Sequence, residues 1–303
     1  MIASIISEAA RVSTFESVRI LKSRRWIPIL FLVAIGSYQA TSELIKYSSA
    51  ISKAPNIWDS YFAFYGSWSA CYLTLVVPIL FVLLVGDIVM KDVTSDFSKM
   101  LTIRLSHKSD SLWIGKCAAI FISALFFSAA IMMTTLVIGG MRGLALSTHL
   151  SPLATYSGVP NITSMMHHGV SDIVIRPFTE QTSPLIHLGI NLLGVSIAYT
   201  LLAIAGVVLG LFGTTLLMPL GTVITTQALI WNYGLFFPNI KLTYLTLYFW
   251  RMVTDTQFRP SPFDDSVATI STLFSRDTVM LFNLIMIVIL GVIGLIIMRK
   301  KSS

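Results

Sequence analysis

Residues 181–240 read QTSPLIHLGINLLGVSIAYTLLAIAGVVLGLFGTTLLMPLGTVITTQALIWNYGLFFPNI, 60 positions without one Asp, Glu, Lys or Arg. The hydrocarbon core of a bilayer takes roughly 20 apolar residues per helix, so this run is too long for one span and right for two. The natural break lies near Gly213-Thr214-Thr215. Working outward, four more charge-free stretches appear: Trp26–Ser42 (17 residues), Ser60–Gly86 (27), Cys117–Met141 (25) and Thr278–Met298 (21). The reading is six membrane helices, at about 26–44, 63–88, 115–140, 186–211, 215–237 and 278–298.

Composition agrees. Across 303 residues, 55% are hydrophobic and only 12% charged, against about 25% charged in an ordinary soluble domain. The first span follows a basic region, as a signal peptide would, but 25 residues precede it and no small-x-small cleavage site follows Ser42; the expectation is a retained helix. Cys71 and Cys117 sit 46 positions apart within apolar runs, without metal-type spacing, and read as small buried hydrophobes.

The net charge of +7 is explained by orientation. With the N-terminus inside, cytoplasmic segments hold 13 basic residues and external segments 8. An excess of Lys and Arg marks the cytoplasmic side, so both termini are expected there, in a cell (plasma or inner) membrane. A nucleic-acid partner is unnecessary to account for the charge.

The polar segments carry their own patterns. In residues 1–25, Ile2, Ile5, Ile6 and Ala9 recur at helical spacing, with Glu8, Arg11 and Lys22 toward another face. That predicts an amphipathic helix lying on the inner membrane surface, followed by a single transmembrane domain over 26–303. Between spans two and three, Val93, Phe97, Met100 and Leu101 share one face of a short helix, with Asp92 or Thr94 as its cap. So small an amphipathic helix needs a partner surface. Trp113-Ile114-Gly115-Lys116 then reads as an aromatic and a cation at the interface. Outside, 142–187 contains four prolines and reads as irregular loop, while 241–277 is rich in aromatics and reads as an interfacial segment.

Much chemistry is missing from the sequence. The spans hold no ionisable relay of the kind proton-coupled carriers use. There is no G-x-x-x-x-G-K-[ST] phosphate loop, no H-E-x-x-H helix and no G-x-S-x-G elbow. The chain is therefore expected to be no enzyme and to bind no cofactor. Met165-Met166-His167-His168 lacks ordered ligand spacing, and no metal site is expected. The polar residues at membrane depth, Asn191, Gln227, Asn232 and Asn283, have two readings: lining of a substrate route, or ordinary interhelical hydrogen bonding.

Taken together, these features resemble the membrane subunit of ABC-2-type ATP-binding cassette exporters. The residues that carry the resemblance are the basic helix from Glu16 through Arg19 to Arg24-Arg25-Trp26, the acidic short-helix loop after span two, Trp113-Ile114-Gly115-Lys116, and the aromatic segment before the last of six spans. Where family members carry a Glu, a Gly-Thr and an Arg-Pro pair, this chain has Asp92, Ser95-Asp96-Phe97 and Arg104-Leu105. The resemblance implies an all-α polytopic fold with a cytoplasmic coupling helix and external re-entrant helices before span six. It implies a dimer with a second permease copy or paralogue, embedded in membrane lipids. It also implies a separate cytoplasmic ATPase dimer that holds the ATP and Mg. Asp92, Val93, Asp96, Phe97, Met100, Leu101 and Arg104 would then be ATPase-coupling residues, and Glu16, Arg19, Arg24 and Arg25 would belong to the interface helix. Two other classes stay open: a structural or sensory membrane subunit that transports nothing, and a membrane-embedded enzyme.

Overall fold

Helix after helix follows the apolar stretches, and the longest of them organises the rest. The computed structural model describes residues 2–66, 71–86, 108–153, 173–175, 183–213, 258–260 and 276–302. The helices are α1 (Ile2–Leu21), α2 (Trp26–Ile51), α3 (Ile57–Gly66), α4 (Cys71–Val85), α5 (Lys108–Met141), α6 (Pro184–Gly213) and α7 (Arg276–Ser302). Among the described residues, four helices are long and apolar enough to cross a bilayer: Trp26–Ile51, Asp110–Met141, Pro184–Leu211 and Met280–Lys300. They correspond to the first, third, fourth and sixth spans read from the sequence, and they point to a membrane protein. The fifth, 215–237, lies outside the described residues, as does much of the segment before span six. Of the second span, the described parts are the end of α3 and α4, which carries Pro78.

Helix ends are set by local chemistry. At the end of α5, Gly143 adopts φ +82°, a conformation a Cβ would strain. Leu144 N–H bonds the Gly139 carbonyl and Gly143 N–H that of Gly140, the two bonds of a Schellman cap. At the end of α2 the same pair of bonds runs from Lys53 to Ser48 and from Ser52 to Ser49, with Ser52 rather than glycine in the left-handed region.

The 34-residue helix α5 is the hub, touching each of the other six described helices. At its centre Phe127 stacks with Trp26 of α2 (5.9 Å between ring centroids), Phe81 of α4 (5.2 Å) and Tyr199 of α6 (5.4 Å). Phe81 and Tyr199 also meet at 5.4 Å, closing a knot that joins four helices. Burying large aromatic groups is worth about 1.5–3 kcal/mol each, and in lipid, packing of this kind replaces the hydrophobic drive between helices. Helix α6 is mostly buried, whereas α7 presents Leu281, Val288, Ile289, Val292 and Ile296 outward.

Two departures from the sequence reading concern the segments 142–187 and 241–277. The stretch 142–187 is not wholly irregular: Ile173–Ile175 forms a strand, β1, antiparallel to β2 (Phe258–Pro260), with Val174 opposite Arg259. Residues 144–151 also form an ordered strap fixed to the start of α3. Turn-rich composition signals the absence of a helix, but it does not reveal backbone pairing to a distant partner.

Candidate functional site

The proposed coupling residues Asp92, Val93, Asp96, Phe97, Met100, Leu101 and Arg104 lie outside the described residues. What is described is the pair of helix ends flanking them, and above all the first turns of α5.

Those turns clamp two other helices. On one side stands α1. Ser111 Oγ donates to Glu8 Oε2 at 2.8 Å, and Gly115 faces Ala9 and Val12 so closely that a Cβ there would lie 2.7 Å from the Ala9 carbonyl oxygen. These two contacts, four residues apart on both helices, mean that α1 runs lengthwise beside α5 in the same direction. Its packed face is Ala9, Val12, Ser13, Glu16, Ser17 and Ile20, all buried. Of the stripe read from Ile2, Ile5, Ile6 and Ala9, Ala9 lies on this face but Ile6 is exposed; of the residues read toward the other face, Arg11 and Lys22 are exposed, whereas Glu8 bonds α5. Unexpected is the polar content of that face. Glu16 is 1% exposed and pairs with Arg19 at 3.1 Å. Small residues on a helix allow close approach where large apolar ones would hold the backbones apart.

On the other side stands α7, running antiparallel. Trp113 Nε1 donates to the Gly291 carbonyl at 2.7 Å. A Cβ on Gly294 would lie 2.6 Å from Trp113 Cε2, so the indole rests on bare backbone. One turn nearer the end, Arg299 grips Asp110 through two contacts, Nε to Oδ1 at 2.8 Å and a second from its other nitrogen to Oδ2. The Trp113-Ile114-Gly115-Lys116 motif is thus not a row of anchors facing lipid and water. Trp113 and Lys116 are 2% and 1% exposed, and only Ile114 faces outward. The helical period explains this: positions 113 and 116 point into the bundle once 114 points out.

The basic turn after α1 links to α4. Arg25 donates to the Leu83 carbonyl near the end of that helix, and Trp26 Nε1 donates to the Ile20 carbonyl at 3.0 Å. Arg24 is exposed. Of the interface-helix residues, Glu16, Arg19 and Arg25 therefore make defined contacts.

The suggested route residues divide. Asn191 is buried and accepts from Tyr61 Oη at 3.2 Å, which is interhelical bonding of the ordinary kind. Asn283 is fully buried, and neither side-chain atom has a hydrogen-bond partner among the described residues. Gln227 and Asn232 lie outside the described residues.

At the opposite end of α5, sequence reasoning missed a second constellation. Asn56 Oδ1 accepts from Trp58 N–H at 3.0 Å, while Asp59 Oδ2 accepts from Asn56 N–H at 2.7 Å. This reciprocal pair is a capping box. The N-x-x-D spacing ahead of an apolar run was the available signal. Among the described residues, no three His, Cys, Asp or Glu side chains converge as a metal site would require. No family model, curated protein or solved structure matches the chain.

Proposed function

We propose that this chain is the transmembrane subunit of an ABC-2-type exporter in the cell membrane. It moves an amphipathic peptide, drug or lipid-like molecule outward, driven by a separate cytoplasmic ATPase dimer that binds the ATP and Mg. A second copy or paralogue completes the pore, and both termini face the cytoplasm. The observation that carries this reading is the joint at the start of α5. The segment 92–104, which matches the family's ATPase-docking position, precedes the helix that grips α1 through Gly115 and Ser111 and α7 through Asp110 and Trp113. A displacement applied at that loop is delivered at once to the first helix and the last. The long charge-free stretches favour an amphipathic cargo over an ion.

The test targets Phe97. Burying a Phe side chain is worth about 1.5–3 kcal/mol, so Phe97→Ala should weaken ATPase docking by roughly 10- to 100-fold. Phe97→Asp should weaken it further, because an unpaired carboxylate would enter an apolar groove. Co-purification of the ATPase and stimulation of its hydrolysis are the readouts. A Phe97→Asp protein that retains its full complement of ATPase, normally stimulated, would remove this loop from the coupling role.

A further inference from the structure

The strap Leu144–Leu153 leaves α5, crosses to the head of α3, and is held there by bonds that all end on one turn. Ile57 N–H donates to the Ala145 carbonyl at 3.0 Å. Trp58 Nε1 donates to the Ser147 carbonyl at 2.6 Å, and Asn56 Nδ2 to the His149 carbonyl at 2.9 Å. Ser151 donates its hydroxyl to Asp59, and Leu153 is fully buried. Asp59 is the keystone, since it fixes both Ser151 and the Asn56 backbone, and Asn56 in turn orients two of the other bonds. It is 1% exposed and stands just ahead of the charge-free stretch that begins at Ser60.

We propose that Asn56 and Asp59 form a proton-responsive clasp that pins the strap 144–153 over the outer ends of α3 and α5, gripping harder as the outside acidifies. The forces on the carboxylate are few. Burial pushes Asp59 up from 3.8 to about 6, and the bonds from Ser151 and Asn56 pull it back only in part. Charged and titratable groups on the packed elements are Glu43, Lys46 and Lys53 on and after α2, Arg142 and His149 on the strap side, and Arg259 in β2. Lys46, Lys53, Arg142 and His149 face solvent, and Arg142 bonds Tyr38 Oη at 3.0 Å. The outer half of α5, packed on α3, carries no charge.

In the opened strap Asp59 is hydrated and titrates near its ordinary value; in the closed strap it titrates higher. Protons therefore bind the closed form more tightly, and the added hold appears as pH falls below about 6. Each unit between the two values is tenfold in the equilibrium, so opening should fall about tenfold from pH 8 to pH 5. A protonated Asp59 still accepts from Asn56 N–H and donates its own proton to Ser151 Oγ. No bond is lost on closing in acid.

The test uses the full-length chain in nanodiscs, with Cys71→Ala and Cys117→Ala. Leu153→Cys reports opening, and Thr148→Cys, at an exposed strap position, reports the thiol's own pH dependence. The ratio of their maleimide labelling rates should fall about tenfold between pH 8 and pH 5. Asp59→Asn, which keeps an acceptor and gains a donor, should make the ratio low and flat, and Ser151→Ala should raise it. His149→Gln should leave the pH response intact. A ratio independent of pH in the chain that keeps Asp59, or an unchanged response in Asp59→Asn, would overturn the clasp. Loss of the response in His149→Gln would transfer the effect to the histidine and overturn it equally.

Discussion

Gly294→Ala is the sharpest probe of the joint between α5 and α7. An added Cβ would stand 2.6 Å from Trp113 Cε2 and 2.7 Å from Cη2, where carbon atoms settle at about 3.5 Å. Cζ2 lies nearer still, so the indole, or α7, must retreat by more than about 0.9 Å. The Trp113 bond to Gly291, now 2.7 Å, would be drawn out of hydrogen-bond range. Overpacking costs about 1–3 kcal/mol and the lost bond about 0.5–1.5 kcal/mol, so the variant should lose roughly 2–4 kcal/mol. The assay is unfolding of the purified chain at fixed detergent and lipid, repeated in Trp113→Ala and the double variant. With the ring removed, Gly294→Ala should cost little, giving a coupling of at least about 1 kcal/mol between contacting residues. Additive costs, or a Gly294→Ala protein as stable as its parent, would refute the claim that the indole rests on that backbone.

At the other face of the same helix, Gly115→Ala would set a Cβ 2.7 Å from the Ala9 carbonyl oxygen and from Val12 Cβ. It should lift α1 at a cost of about 1–3 kcal/mol, seen as faster labelling of Ser13→Cys, and unchanged labelling would argue against the packing. Orientation is tested with cysteines at Ser157, Ser266 and Ser109 in a background lacking Cys71 and Cys117. An impermeant thiol reagent should reach the first two from outside intact cells and not the third, and labelling at Ser109 would reverse the assignment of sides.

The long helices were legible because lipid demands a run of apolar residues that local sequence must supply. Trp26, Cys117 and Thr278, the starts read from charge alone, all fall within described helices, and the fourth span, read from 186, begins at Pro184. The direction in which a side chain points was less legible. Trp113 reads as an interfacial anchor by type, yet it is buried on α7, because Gly294, 181 residues later, leaves the space it fills and the Gly291 carbonyl accepts its N–H. Glu16 reads as part of an interface helix, but its burial was not legible, because it follows from α1 lying along α5. The Asn56–Asp59 box was readable as a helix start, but its clasp on the strap depends on partners about 90 residues away. Such pairings are carried by topology and leave no periodic trace in the chain.

The hub position of α5 also imposes an order on synthesis. Helix α1, with Ser13, Glu16 and Ser17 on the face that α5 will cover, leaves the ribosome about 90 residues before Gly115 does. At about 5–20 residues per second, that face waits roughly 5–20 s for its cover. The first helix is therefore made in a form that must tolerate water or headgroups before it docks. Two serines, a glutamate and few large apolar groups on the docking face are what such a wait requires. A greasier face would pack as well at the end, but the nascent chain would have to keep it from the bilayer until the third span arrived.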